Sequence, residues 1–140
     1  MLLADTSAWI WSRRKGHPEI RNRFDSLLEG GTIATCAQVR LELLYGTRTA
    51  EEHLLRRGQL EALDDLPIEP ADWERALDVQ AGLARLGSDH QKVAKIPDLV
   101  IAAVAERAGI AVLHYDGDFD WIQRVTGQPM RWLAARGSLR

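Results

Sequence analysis

Three short apolar runs, MLLAD (1–5), TIAT (32–35) and IAVLH (110–114), are separated by long segments with helical periodicity. That arrangement restricts the fold more than any other feature. A hairpin turn suffices to pair antiparallel strands, whereas parallel pairing needs a crossover of a dozen or more residues, usually a helix. Runs that are apolar on both faces belong to strands covered on both sides. The expectation is an α/β fold of three layers, α/β/α, around a central parallel sheet. The 140 residues, 46% of them hydrophobic, suit a single domain over residues 1–140 with an ample core.

The helices are legible from their punctuation. Pro18 suits a first helical turn, and Ile20, Phe24, Leu27 and Leu28 follow at helical spacing before Gly30 and Gly31. Thr35 and Gln38 have the spacing of a capping box, which predicts a helix to about Gly46, and Thr49 with Glu52 repeats the signal. Pro70 opens a helix with Trp73, Ala76, Leu77, Ala81 and Ala84 on the expected buried face. SDHQKVAKIP (88–97) reads as a polar loop. From Asp98 to Ala108 the helical pattern is apolar almost all round, so this helix is expected in the interior, with Gly109 as its stop. A short helix is expected over residues 118–125.

In a parallel α/β sheet, ligands bind beyond the carboxyl ends of the strands. Asp5 ends the first apolar run, and Asp116, Asp118 and Asp120 crowd the exit of the last one. Glu42 stands in a helix among Leu41, Leu43 and Leu44, and Asp98 opens the apolar helix. Singly, each acid has an ordinary reading. Asp5 and Asp98 suit helix N-termini, and Asp-Gly is a turn signal. Together, carboxylates gathered at one sheet end repel one another unless a cation lies between them. All-oxygen donors suit Mg²⁺ or Mn²⁺, ions that activate water and steady a leaving oxygen in phosphodiester hydrolysis.

Other chemistries find little support. There is no P-loop, no GxSxG and no GxGxxG, and the four histidines form no HExxH motif. The one cysteine, Cys36, excludes a disulfide framework and a cysteine zinc site, as expected of a soluble protein of the reducing cytoplasm. No apolar stretch is long enough to cross a membrane. The net charge of −2 permits nucleic-acid binding only through a local basic cluster. Arg13, Arg14 and Lys15 form one such run, and Arg131, Arg136 and Arg140 lie in an acid-free tail. A solvated face is the plain alternative for both. Trp9 and Trp11 are expected to pack rather than to stack on bases.

Taken in order, DTSAWI (5–10), VRLELLYG (39–46), IPDLVIAAVA (96–105) and HYDGDFD (114–120) resemble the PIN-domain ribonucleases, and among them the VapC toxins of bacterial toxin–antitoxin pairs. Each motif is loose, but their order and spacing over nearly the whole chain are specific. The resemblance implies a PIN-like α/β/α fold, with Asp5, Glu42, Asp98 and Asp116 as the catalytic acids. It implies metal ligation by Asp5, Asp98, Asp116 and Asp118, supported by Thr6 or Ser7. His114 departs from the pattern, which often has Ser or Thr there; an imidazole in that place takes over holding a water or a carboxylate.

The implied activity is a Mg²⁺-dependent endoribonuclease, with Mn²⁺ able to substitute, that cuts RNA by metal-activated water and is silenced by a cognate VapB-like antitoxin. Arg13, Arg14 and Lys15 would contact RNA, and a homodimer and a toxin–antitoxin hetero-oligomer are expected, with no membrane partner. The competing reading is a receiver-like phosphoacceptor module, another small doubly wound domain with an acidic Mg²⁺ pocket. That module needs a strand-end lysine beside the pocket; the best candidates, Lys92 and Lys95, lie in a polar loop before a helix, and Glu42 would have no role in it.

Overall fold

The computed structural model describes residues 1–140. Its elements follow in the order β1 (Leu2–Ala4), α1 (Thr6–Arg13), α2 (Pro18–Glu29), β2 (Ile33–Thr35), α3 (Ala37–Tyr45), α4 (Ala50–Glu61), β3 (Asp64–Asp65), α5 (Pro70–Ala84), α6 (Ile96–Ala108), β4 (Ala111–His114), α7 (Asp118–Thr126) and β5 (Met130–Trp132). All strand pairings are parallel, in the order β3-β2-β1-β4-β5. The chain therefore builds the sheet outward from β1 in one direction, then returns to build from β1 in the other. The switch point lies between β1 and β4, where Leu3 pairs with Val112 and Ala4 with Leu113. A receiver-like module has the order 2-1-3-4-5, so the strand order excludes that reading.

The alternation of a strand sorts its side chains between two cores. Leu3 and Val112 face a cluster with Val39 of α3, Val79 and Leu83 of α5, and Ile101 and Val104 of α6. Leu2, Ala4 and Leu113 face the other side, where Ala8, Ile20 and Phe24 of α1 and α2 pack with Leu133 and Leu139. Helices thus cover both faces, and the three-layer expectation holds. Every residue of α6 from Asp98 to Ala105 is buried, which explains why its pattern lacks a polar side. Gly109, at φ 71°, closes this helix in the left-handed region that a Cβ disfavours. No helix is long and apolar enough to cross a membrane.

Several local expectations are corrected. The sheet has five strands rather than three. β3 is exposed, acidic and only two residues long, and β5 is partly exposed, so neither carries an apolar run. Thr35 forms no capping box with Gln38. It is the last residue of β2, Cys36 takes the N-cap position without a side-chain bond, and the Thr35 hydroxyl bonds the Cys36 carbonyl. At α4 the Thr49 hydroxyl does accept from the Glu52 amide, while Glu52 reaches back to the amide of Arg48 rather than to the N-cap. On α5 the buried side is Asp72, Ala76, Val79 and Leu83, so Trp73 and Leu77 face solvent. The polar Asp72 sits on the core side because Arg107 pairs with it at 3.0 Å and the Glu69 amide bonds it at 2.8 Å.

The rotation of α5 has a measurable consequence. Ile101→Ala opens a cavity at a fully buried position of α6 and is expected to lower stability by about 2–5 kcal/mol in urea unfolding. Leu77→Ala, at 59% exposure, is expected to change it by less than ~0.5 kcal/mol. A loss at Leu77 equal to that at Ile101 would place the wrong side of α5 in the core.

Candidate active site

The switch point is where the acids gather. β1 delivers Asp5, which caps α1: its Oδ2 accepts from the Ser7 amide at 2.9 Å and the Ser7 hydroxyl at 2.6 Å. Capping and chemistry are not alternatives here, because both of these bonds fall on one carboxylate oxygen. Ser7 Oγ also accepts from the Tyr115 amide at 2.9 Å, tying the exit of β1 to the exit of β4. The next residue, Thr6, donates its hydroxyl to Glu42 Oε2 at 3.0 Å and so aims the α3 acid toward the same end of the sheet. Thr6 and Ser7 both support the acids, each a different one.

Asp98 is 3% exposed in the first turn of α6. Its side chain caps nothing, and its Oδ2 is buried without a hydrogen bond. The helix-cap reading of this residue therefore finds no support in its contacts. Asp116 and Asp118 complete the group. Oxygens of Asp98, Asp116 and Asp118 lie within 4.8 Å of one another. Asp116 Oδ1 accepts from the Asp118 amide at 3.0 Å, which shapes the turn into α7. Asp120 stands apart, with its oxygens taken by Trp132 Nε1 at 3.0 Å and Arg136 at 2.9 Å.

His114 is fully buried between Phe119 and Trp132. Burial holds its pKa down to about 4, so it is neutral at pH 7. Its Nδ1 accepts from the Asp116 amide at 3.2 Å, so the proton belongs on Nε2. Through Nδ1 the imidazole holds the backbone that presents a carboxylate, and its buried Nε2 has no protein partner.

The residue that sequence reading missed is Lys95. Its ammonium lies 2.6 Å from Asp118 Oδ2, 2.8 Å from Asp116 Oδ2 and 3.5 Å from Asp98 Oδ2, and its amide donates to Asp118 Oδ2 at 3.1 Å. The polar loop before α6 thus folds onto the acids. Its position at the helix start shows why it needs these partners. Lys95 is the N-cap of α6, where Ser, Thr, Asp and Asn are preferred and where the helix dipole disfavours a cation. Only compensating negative charge makes a lysine comfortable there.

Arg13, Arg14 and Lys15 lie at the far end of α1, about 12 Å along the helix from Asp5 at 1.5 Å per residue. Arg13 pairs with Asp25 at 2.7 Å, and Arg14 stacks on Trp11 at 4.0 Å. Trp9 packs on Phe24 and Trp11 on Tyr115, as their packing role required. A cavity of about 500 Å³ opens between α1, α2, α3 and α4, lined by Trp9, Leu43, Arg56 and Leu60 among others, but it contains none of the acids. A second opening, of about 430 Å³, is lined by Thr6, Leu41, Glu42 and Tyr45 and so includes one of them.

The electrostatics show the strain of this gathering. Burial raises the pKa of Asp5 in spite of its Ser7 bonds. Burial raises Glu42 as well, and the nearby Asp5 charge adds to it against the Thr6 bond. Asp98 is pushed up to about 8, first by burial and then by the charge of Asp5, with Lys95 pulling the other way. Asp116 moves down: burial opposes its charge, but the Lys95 bond and the Asp118 amide outweigh it. A buried carboxylate oxygen with no donor, beside two further carboxylates, fits a hard cation with oxygen ligands.

Comparison with known proteins agrees. Residues 2–125 match the family model of the PIN domain. Ribonuclease VapC18 of Mycobacterium tuberculosis is 39% identical over 135 residues, 96% of each chain. Ribonuclease VapC21 of the same species is 41% identical over 122 residues, 86% of this chain and 87% of the relative. In fold, the chain is similar to DNA-bound VapBC from Salmonella typhimurium, with TM-score 0.71 and 23% identity over 96% of this chain and 100% of that one. It is also similar to FitAB bound to an IR36 DNA fragment, with TM-score 0.72 and 18% identity over 95% of each chain.

The raised pKa of Asp98 makes stability depend on pH. The folded state binds this proton more tightly than the unfolded chain, whose value is near 3.8. The contribution is therefore fully present below about pH 4 and is lost as pH rises toward about 8, with Asp5 and Glu42 acting in the same direction. In chelator, Asp98→Asn is expected to flatten this loss and to stabilise the neutral-pH protein by on the order of 1 kcal/mol. Millimolar Mg²⁺ is expected to raise the melting temperature of the parent much more than that of the variant. Equal melting curves under all conditions would mean that the acids do not act as one site.

Proposed function

The chain belongs to the PIN-domain family, among its VapC ribonucleases, and from that we propose that it is a Mg²⁺-dependent endoribonuclease of a toxin–antitoxin pair, acting on RNA in the cytoplasm. The observation that carries the reading is Asp98 Oδ2, buried and without a donor, beside Asp116 and Asp118 at the sheet's switch point, with the charge of Asp5 near enough to raise its pKa. Asp5, Asp98, Asp116 and Asp118 are the proposed ligands. When bound, the ion supplies an acidified water and charge stabilisation for the leaving oxygen, and Mn²⁺ can replace it.

The chain's own residues do the rest. Ser7 holds Asp5 through one oxygen, and Thr6 holds Glu42 at the rim. Glu42 is the proposed acceptor of the proton released by the attacking water, since its raised pKa brings a carboxylate closer to neutral pH. His114 does not exchange protons at neutral pH and fixes the Asp116 backbone. Arg13, Arg14 and Lys15 are the proposed contacts for flanking phosphates, which demands that Arg13 give up part of its pairing with Asp25.

A cognate, VapB-like antitoxin is the proposed partner. An Arg from that chain can bridge two carboxylates of the site and exclude ion and RNA together. The exposed Leu54, Leu55, Trp73 and Leu77 support self-association as well.

Purified protein is expected to cut RNA with Mg²⁺ or Mn²⁺ and to stop with chelator. Asp5→Asn or Asp98→Asn is expected to lower the rate by about two orders of magnitude or more, measured on a labelled RNA. Undiminished cleavage by both variants would remove the assignment. Light scattering is expected to report a dimer of the chain alone and a larger hetero-oligomer with its antitoxin. A monomer at high micromolar concentration, or no complex, would overturn the corresponding partner.

A further inference from the structure

An ammonium group already occupies the acidic site. Lys95 Nζ contacts Asp116, Asp118 and Asp98, the same three residues whose oxygens converge within 4.8 Å. It serves them unequally. Asp116 Oδ2 and Asp118 Oδ2 receive hydrogen bonds at 2.8 and 2.6 Å, whereas Asp98 Oδ2 stands 3.5 Å off and receives none. A divalent ion, with twice the charge and a full coordination shell, can draw on all three. An ammonium and a divalent ion on the same oxygens repel each other and compete for their lone pairs. Lys95 also has a way out. Its side chain is 62% exposed on a flexible four-carbon stem, while its amide stays anchored to Asp118 Oδ2.

We propose that Lys95 is a tethered resident cation of the active site: its ammonium balances Asp98, Asp116 and Asp118 until a divalent ion displaces it. Metal loading is then an ion exchange, and it leaves a lysine at the mouth of the site, where an RNA phosphate arrives. The exchange rests on the metal-site reading of the acids and adds to it. The net affinity for the ion is what remains after the ammonium has been expelled. Without the ammonium, the carboxylates of Asp116 and Asp118 would face each other with no countercharge.

Lys95→Met removes the charge at nearly constant length, and it tests the exchange without using catalysis. In chelator, the variant is expected to melt below the parent. By calorimetric titration it is expected to bind Mn²⁺ about 10-fold or more tightly than the parent, since a neighbouring positive charge has been removed. Unchanged or weaker Mn²⁺ binding would overturn the proposal. Asp98→Asn, titrated alongside, separates this failure from a deeper one. If Asp98→Asn weakens Mn²⁺ binding while Lys95→Met fails to tighten it, the metal site stands and the exchange falls. If Asp98→Asn also leaves binding unchanged, the metal site itself falls. The parent protein supplies a test that needs no variant. By nitrogen-15 NMR, the Lys95 ammonium is expected to move from a slowly exchanging, ion-paired signal to a solvent-exchanging one as Mg²⁺ is added. A signal unmoved at saturating Mg²⁺ would overturn the exchange.

Discussion

The mutual repulsion of carboxylates confined at one end of a sheet organises the rest of the structure. Asp5 and Asp98 are both 3% exposed, and Asp116 and Asp118 are half-buried beside them. Water cannot screen charges held this way, and the interior weakens the field of each much less than bulk solvent would. A fold that keeps such a group must hold every acid by its backbone or by a second side chain. The contacts around the site meet that demand for every acid but Asp98, whose Oδ2 has no donor. Ser7 grips Asp5, Thr6 grips Glu42, His114 grips the Asp116 amide, and Asp116 grips the amide of Asp118.

The topology makes this possible at small size. β1 and β4 are adjacent and parallel, so Asp5 and Asp116 leave the sheet at the same end. The helices that follow turn to opposite faces, which opens the gap that ligands use in folds of this kind. α6 fills the interior on one face and brings Asp98 into the gap from its N-terminus. The Ser7 bridge to Tyr115 joins the two exits directly. A site assembled from elements so far apart in sequence tolerates change on the outer helices more readily than along β1, α6 and β4.

Neutral and cationic neighbours tune the group in opposite directions. Lys95 holds Asp116 below the ordinary carboxylate range, while burial and Asp5 raise Asp98 to about 8. Two aspartates of one site thus prefer different protonation states, an asymmetry set by the burial of Asp98 and by the Lys95 bond that reaches Asp116. The oxygen-only character of the donors suits a hard cation.

The sequence by itself determined the layers and most of the acids. The apolar runs at 1–5, 32–35 and 110–114 and the helix without a polar side could only be reconciled by burial on two faces, and Asp5 and Asp116 follow from strand ends alone. Glu42 was legible because it sits among leucines. Tertiary structure alone decided the remainder. β3 and β5 have no apolar pattern because edge strands with exposed sides need none, and they exist only through pairing with Thr35 and His114. The buried side of α5 was decided by Arg107, which lets Asp72 face inward and turns Leu77 out. The place of Lys95 was decided in the same way. Sequence patterns record burial, which is a property of each position, but an ion pair across 21 residues depends on where two backbones end up. A loop that reads as polar and unconstrained is therefore the one that closes the charge balance of the site.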